Sequence, residues 1–282
     1  MFDSSASGRQ ASDASSPLPF HEVSMQALTL AQLKALLPAT SFSPPQEAVK
    51  HTNPRKVDVA QQLARWMEDT LAQEGAILAV VARQGGLQHK KYDRTGMLHT
   101  GLVIWHPQEK RWKIYNLIDR PQGRGTRCDV QWTEPVDFFI QQGGRQKEAL
   151  LMIPDRILQA RMRAALLNGD AARLSFTSDY NIISPPHSET SLNCNKWVLL
   201  NLLAAQMQTY EPKHLLDVIK REYKPGQIQV HPLARLFAKH QSRVKASEVP
   251  WLAPIETVTV QSLCDSGLFE KALFCSASQP EL

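Results

Sequence analysis

The stretch LHTGLVIWHPQEKRWKIYNLID, residues 98–119, decides how this chain is read. LHTGLVIW (98–105) has strand composition, and so has RWKIYNLID (111–119). The link HPQEK is short and polar, so the two strands form an antiparallel hairpin. Side chains alternate across a strand. His99, Gly101, Val103 and Trp105 therefore share one face, and Thr100, Leu102 and Ile104 share the other. A glycine two residues after His99 leaves the surface open on the histidine's side.

Upstream, AILAVVAR (76–83) is apolar almost throughout, as expected of a strand in a sheet covered on both faces. The covering helices are legible on either side. VDVAQQLARWMEDTLAQEG (57–75) places Val59, Leu63, Trp66, Met67 and Leu71 on one face and ends at Gly75. LLMIP predicts a strand, followed by a helix from Pro154 to Leu167 with Gly169 as its stop. VDFFIQQGG (136–144) predicts a short helix or turn. SDYNIISPPHSETSLN (178–193) predicts an extended loop, and a helix from Cys194 to Met207 follows it. Further helices are expected over 24–37, over 211–223 with Pro212 in its first turn, and over 231–240. Residues 255–263 alternate like a strand, and 264–274 predict a short closing helix. The Ser-rich start predicts a disordered arm over residues 1–22. Residues 23–282 then form one α+β domain.

Composition bounds the function. Charged residues are 21% of the chain, and the net charge of +5 is scattered, which argues against a nucleic-acid groove. No apolar run is long enough to cross a membrane. No secretory signal is visible, so a cytoplasmic protein is the default expectation; a periplasmic or exported one would need a leader that this sequence does not display. The four cysteines form no CxxC pair and show no zinc spacing, so no metal and no organic cofactor are expected. Free thiols are the expectation; Cys264 and Cys275 would pair only in an exported protein.

Chemistry centres on SLNCNKWVLLNLLAAQ, residues 191–206. Cys194 stands where a polar loop becomes an apolar helix, with Asn193 or Ser191 as cap. Unpaired N–H groups and the macrodipole at a helix start favour a thiolate, whose unperturbed pKa is ~8.5. A nucleophilic cysteine also needs a base, and a group that orients the base. Of the nine histidines, His99 is the one inside an expected strand. Asn116, in the hairpin partner strand, is the expected orienter, with Asp119 as a second option. Arg83 at a strand end and Tyr92 before the His99 strand are candidate substrate contacts, as is Asn193. Tyr92 and the Cys194 N–H would serve as oxyanion donors. A buried, inert cysteine at a helix start is the competing interpretation of Cys194.

MLHTGLVIW, then a strand containing YNL, then LNCNKWVLLNLLAA resembles in order the circularly permuted branch of the NlpC-type papain-like superfamily. NCNKWV also resembles the Asn-Cys helix start of its lecithin:retinol acyltransferase-like members. More closely, VVARQGG, KYDRTGMLHTGLVIW, DYNIISPPHSETSLNCNKWVLLNLLAAQ and TVTVQSL resemble the bacterial family named domain of unknown function 2145, over residues 57–265. The resemblance implies a permuted papain-like α+β fold, with an antiparallel sheet packed on a Cys-bearing helix. It implies Cys194 as nucleophile, His99 as base and a group near Asn116 as orienter. The expected activity is a thiol hydrolase or acyltransferase acting on an amide or ester in a peptide, peptidoglycan or acyl-type substrate. The alternative is a catalytically inactive papain-like binding module. GMLHTG departs from the family pattern, which has an aromatic and a Ser or Thr just before the histidine; this bears on substrate contacts.

Overall fold

The computed structural model describes residues 54–84, 95–122, 125–140, 147–177, 179–228, 243–248, 250 and 253–277. Tyr92, the expected N-terminal arm and the helices expected over 24–37 and 231–240 lie outside these residues.

Its centre is a six-stranded sheet, every neighbouring pair antiparallel, in the order β4-β3-β2-β1-β5-β8. The strands are β1 (Leu78–Gln84), β2 (Met97–His106), β3 (Arg111–Gln122), β4 (Gly125–Thr133), β5 (Glu148–Ile153) and β8 (Lys271–Ser276). A small second sheet pairs β6 (Gly226–Ile228) with β7 (Ile255–Thr257). The helices are α1 (Pro54–Gln73), α2 (Pro135–Ile140), α3 (Arg156–Asn168), α4 (Cys194–Met207), α5 (Pro212–Glu222) and α6 (Val260–Cys264).

The expected 98–119 hairpin is present, with Leu102 opposite Tyr115 and Trp105 opposite Trp112. The two tryptophans meet edge to face at 5.4 Å, the geometry that the quadrupoles of two rings favour. Alternation along β2 divides the interior in two. Leu102 and Ile104 join Leu78, Val80, Tyr115 and Leu117 beneath α3, α4 and α5. Val103 joins Ala79, Val81, Ile114 and Leu151 beneath α1 and α2. We call these the α4 face and the α1 face. β1 is buried from Leu78 through Arg83, which explains its unbroken apolar run.

The helices follow from the same burial. α1 buries Ala60, Leu63, Ala64, Met67 and Leu71, a single stripe at helical spacing. It stops at Gly75, whose φ of +57° is left-handed, and the Arg156 guanidinium donates to the Gly75 carbonyl just beyond the helix end. α4 is buried on almost all sides, Trp197 completely, so it reads as apolar without a polar stripe.

Three stretches differ from expectation. β4 was not expected as a strand, because GTRCDVQWT carries charge on alternate positions; these pair outward, as Arg120 does with Asp129. Residues 255–263 are not one strand. Thr259 caps α6 through the Ser262 N–H, and Ser262 Oγ in turn accepts from the Thr259 N–H, so the chain turns helical after β7. Residues 271–276 form the edge strand β8 rather than the end of a helix, with Phe274 55% exposed. All four cysteines are free thiols.

Candidate functional site

The loop before α4 is tied down by polar side chains. Asn193 is the cap: its Oδ1 accepts the Lys196 N–H at 2.8 Å. Its Nδ2 donates to Ile182 O and to Thr257 Oγ1, both at 3.1 Å. Proposed as a substrate contact, Asn193 is instead buried with both ends of its amide engaged inside the protein. Lys196, one turn into the helix, is fully buried. It donates to Ser191 O at 2.9 Å, to Ser184 Oγ at 3.4 Å and to Ser188 O. Burial lowers its pKa to about 7, against the opposing pull of Glu248. Glu248 itself accepts from Ser188, Thr190, Ser191 and Asn181.

Cys194 opens α4 with 4% of its surface exposed. Its thiol donates to Leu98 O at 3.7 Å and to Asn195 Oδ1 at 3.6 Å. Asn195 Oδ1 also accepts from Thr100 Oγ1 at 2.9 Å, and Asn195 Nδ2 donates to Val258 O at 3.0 Å. Burial raises the thiol pKa. The N–H groups of Thr100 and Asn195 and the charge of Arg83 oppose that rise without cancelling it. The helix start that would favour a thiolate is therefore outweighed by desolvation.

The other expected residues gather on the α1 face. Arg83 lies directly opposite His99 in the ladder. His99 Nε2 and Asn116 Oδ1 are 3.3 Å apart. Asn116 Nδ2 points away, donating to Ile114 O at 3.4 Å and Thr133 Oγ1 at 3.5 Å. An amide oxygen only accepts, so the contact requires the proton on His99 Nε2 and leaves Nδ1 as an acceptor. Phe138 of α2 lies against both partners, 5.6 Å from the His99 ring centroid and 5.1 Å below the Arg83 guanidinium. Burial, followed by the Arg83 charge, pushes the His99 pKa down to about 3. Arg83 falls to about 10, also through burial, and stays cationic at neutral pH.

Asn116 approaches β2 closely because residue 101 is glycine. A Cβ there would lie 2.6 Å from Ile114 Cγ2 and 3.3 Å from Asn116 Cβ. On the far side, Asn116 pairs with Gln131 of β4. Gln131 is 1% exposed, and its Oε1 has no hydrogen-bond partner. Arg83, His99, Asn116 and Gln131 thus form a polar band across four strands. Gln131 escapes a sequence reading because β4 does.

The structure brings His99, Asn116 and Arg83 together, and it does not bring His99 to Cys194. Successive residues of β2 point to opposite faces. Thr100 bonds Asn195 beside Cys194, while His99 packs on Phe138. On β2 the Cys194 thiol meets the Leu98 carbonyl, at the backbone just before His99. Asp119, the second orienter option, is engaged with Arg243 at 2.5 Å. His106, expected in a loop, is a second strand histidine. It is buried on the α4 face, 3.2 Å from Tyr115 Oη, with its pKa lowered to about 4 by burial and then by Lys113. Among the described residues no cluster of three His, Cys, Asp or Glu could hold a metal, and no helix is long and apolar enough to cross a membrane.

No curated protein and no solved structure matches the chain. A family model does, the one described as "Uncharacterized protein conserved in bacteria (DUF2145)", over residues 70–265. That match spans more than half of the sequence, and the chain belongs to this bacterial family.

Proposed function

We propose that this chain is a catalytically silent binding module of permuted papain-like descent, in which Cys194 serves packing. The chain order supports the descent: a strand with His99, a strand with Asn116, then a helix opened by Cys194. One observation carries the silence. The Cys194 thiol packs on the α4 face of β2 while the His99 imidazole leaves β2 on the α1 face against Phe138, and no hydrogen bond joins the two. A protonated thiol donating to a backbone carbonyl supports the same reading.

Iodoacetamide alkylation against pH, read by mass spectrometry at Cys128, Cys194, Cys264 and Cys275, tests it. Cys194 is expected to react no faster than the partly exposed Cys264 and Cys275, and His99→Ala is expected to leave its rate unchanged. A Cys194 that reacts fastest well below pH 8 and loses that advantage in His99→Ala would overturn the proposal.

A second reading, a thiol hydrolase or acyltransferase on a peptide, peptidoglycan or acyl substrate, is favoured by the N–H groups of Thr100 and Asn195 at the sulfur. It requires the start of β2 to rearrange beside the irregularity at Arg83/Gln84, bringing His99 to the thiol. His99 would then take the proton, the thiolate would attack the carbonyl and expel the amine or alcohol with that proton from His99, and water or an amine would release the acyl group and restore the thiol. Turnover of a peptide amide that Cys194→Ala abolishes with the fold intact would establish this reading.

A further inference from the structure

Residues 179–193 contain no helix or strand and fold back on themselves before α4 opens. The Asn181 N–H donates to Leu192 O at 2.9 Å, and the Leu192 N–H to Asp179 O at 3.0 Å. An irregular stretch of this length inside a compact domain is uncommon and usually has a task. Tyr180 and Leu192 anchor its two ends in the core. Between them Pro186 is the only apolar residue that is buried, and Ile182 is 42% exposed. Polar groups hold the middle of the segment instead. The fully buried Lys196 ammonium donates to Ser184 Oγ, Ser188 O and Ser191 O, all within it. Glu248 holds it from the other side, accepting from Asn181, Ser188, Thr190 and Ser191. The hydroxyls of Ser184 and Ser191, 2.8 Å apart, link the two ions.

A buried ammonium whose hydrogen-bond partners are all neutral oxygens is costly to charge, and water restores the charge when the segment opens. Burial sets the Lys196 pKa at about 7 in the closed state, against the upward pull of Glu248 and then of Cys128 in β4. In water a lysine amine lies near ~10.4. Opening therefore takes up a proton between those two values. The closed segment is firmest at alkaline pH, weakens as pH falls toward 7, and no longer responds to Lys196 below that. Glu248 acts in another window. Burial raises its carboxyl pKa, its four donors outweigh that rise, and its contribution is lost only in acid. The Phe176 ring lies 5.8 Å from Lys196 Nζ. Around the segment, Lys245 bonds Asp179 and Thr190 O, and Arg243 pairs with Asp119. We propose that residues 179–193 are a strap, latched against the start of α4 by Lys196 and Glu248 and released by proton uptake at Lys196. Tyr180 lies within electrostatic reach of Cys194, so release also loosens a neighbour of that sulfur. The strap goes beyond both readings of Cys194 and depends on neither.

Hydrogen exchange of the full chain tests it, read amide by amide from pH 7 to pH 8.5 and divided by the intrinsic rate at each pH. The Asn181 and Leu192 amides should be less protected than those of Val80 and Leu102 in the sheet, because the strap opens without the rest of the domain. Strap opening should become about tenfold or more frequent from pH 8.5 to pH 7, the effect of one proton. In Lys196→Met that dependence should vanish. Glu248→Gln should open the strap about tenfold more often at every pH in the range, through the loss of a charged acceptor. Equal protection of strap and sheet overturns the proposal. So does opening that ignores pH in the wild type, or a pH dependence that survives in Lys196→Met. If Lys196→Met does not fold, the wild-type profile and Glu248→Gln decide, and a Glu248→Gln strap as closed as the wild type overturns the latch. The readout is backbone exchange, so a failed strap and a failed silent-cysteine reading give different results.

Discussion

The two faces of the central sheet solve opposite problems with the same strands. On the α4 face the helix is buried nearly all round, and the polar groups of its first turn are matched locally: Cys194 with Leu98 O, Asn195 with Thr100 and Val258 O, Lys196 with three oxygens of the preceding loop; the Trp197 indole N–H is left over. On the α1 face a helical cover of ordinary amphipathic type leaves a band of polar side chains whose needs are not all met within the protein. A satisfied buried network holds a structure in place, whereas an unsatisfied one is kept at a cost in stability. The residue with the reactive side chain lies in the matched first turn of α4.

The largest expected effect tests how completely the α4 face depends on packing. Trp197 is fully buried, and its indole N–H has no partner. Trp197→Ala should cost about 3–5 kcal/mol in urea unfolding. Trp197→Phe, which removes only the second ring and an orphaned donor, should cost well under half of that. Equal losses in the two variants would mean that the indole N–H is bonded and that the face is held by more than shape.

Acid should strain both faces through one strand. His106 on the α4 face and His99 on the α1 face are both held neutral, with folded pKa values of about 4 and about 3. Each takes up a proton more readily in the unfolded chain, near ~6.5. The stability they contribute is therefore complete above that value and is lost as pH falls through it toward the folded values. Each unit of separation corresponds to about 1.4 kcal/mol, so the upper bound is a few kcal/mol per histidine. Stability measured from pH 7 to pH 4 should fall less steeply in His99→Gln and in His106→Gln than in the wild type. A slope unaltered in both would show that neither imidazole is desolvated as placed here.

Gly101→Ala probes the α1 face alone. The added methyl would meet Ile114 Cγ2, Tyr115 O and Asn116 Cβ. A cost of about 1–3 kcal/mol is expected. Because Asn116 must retreat, the His99 Nε2 proton should lose its fixed partner, visible as a mixed tautomer in the imidazole 15N spectrum. Loss of stability with the tautomer unchanged would separate the glycine's steric role from the band.

How far the sequence reached follows from these same residues. The hairpin, the alternation along β2 and the helix opened by Cys194 were legible because each depends on local pattern. The alternation already separated His99 from Thr100, and so contained the argument against the Cys194–His99 pair. It could not be applied, because which face α4 covers is decided by tertiary packing and has no local signature. β4 was illegible for a different reason: charged residues such as Asp129, paired with Arg120 of the neighbouring strand, break up its apolar pattern, and Gln131 was lost with it. Residues 255–263 alternate like a strand, but the Thr259–Ser262 cap overrides that pattern beyond β7.

The smallest expected effect bears most directly on the cysteine. Thr100 Oγ1 donates to Asn195 Oδ1, the atom that also accepts the Cys194 thiol. Thr100→Val removes that donor with little change of shape, at a cost of about 0.5–1.5 kcal/mol. The thiol then becomes the remaining side-chain donor identified at that oxygen. The Thr100 side chain also helps lower the thiol pKa, so its removal pushes the thiol further toward its protonated form. Alkylation of Cys194 should therefore stay as slow as in the wild type or slow further, even though the protein is less stable. A faster reaction would mean that the thiol is restrained by Thr100 itself, and that loosening β2 releases a nucleophile the α4 face had been holding closed.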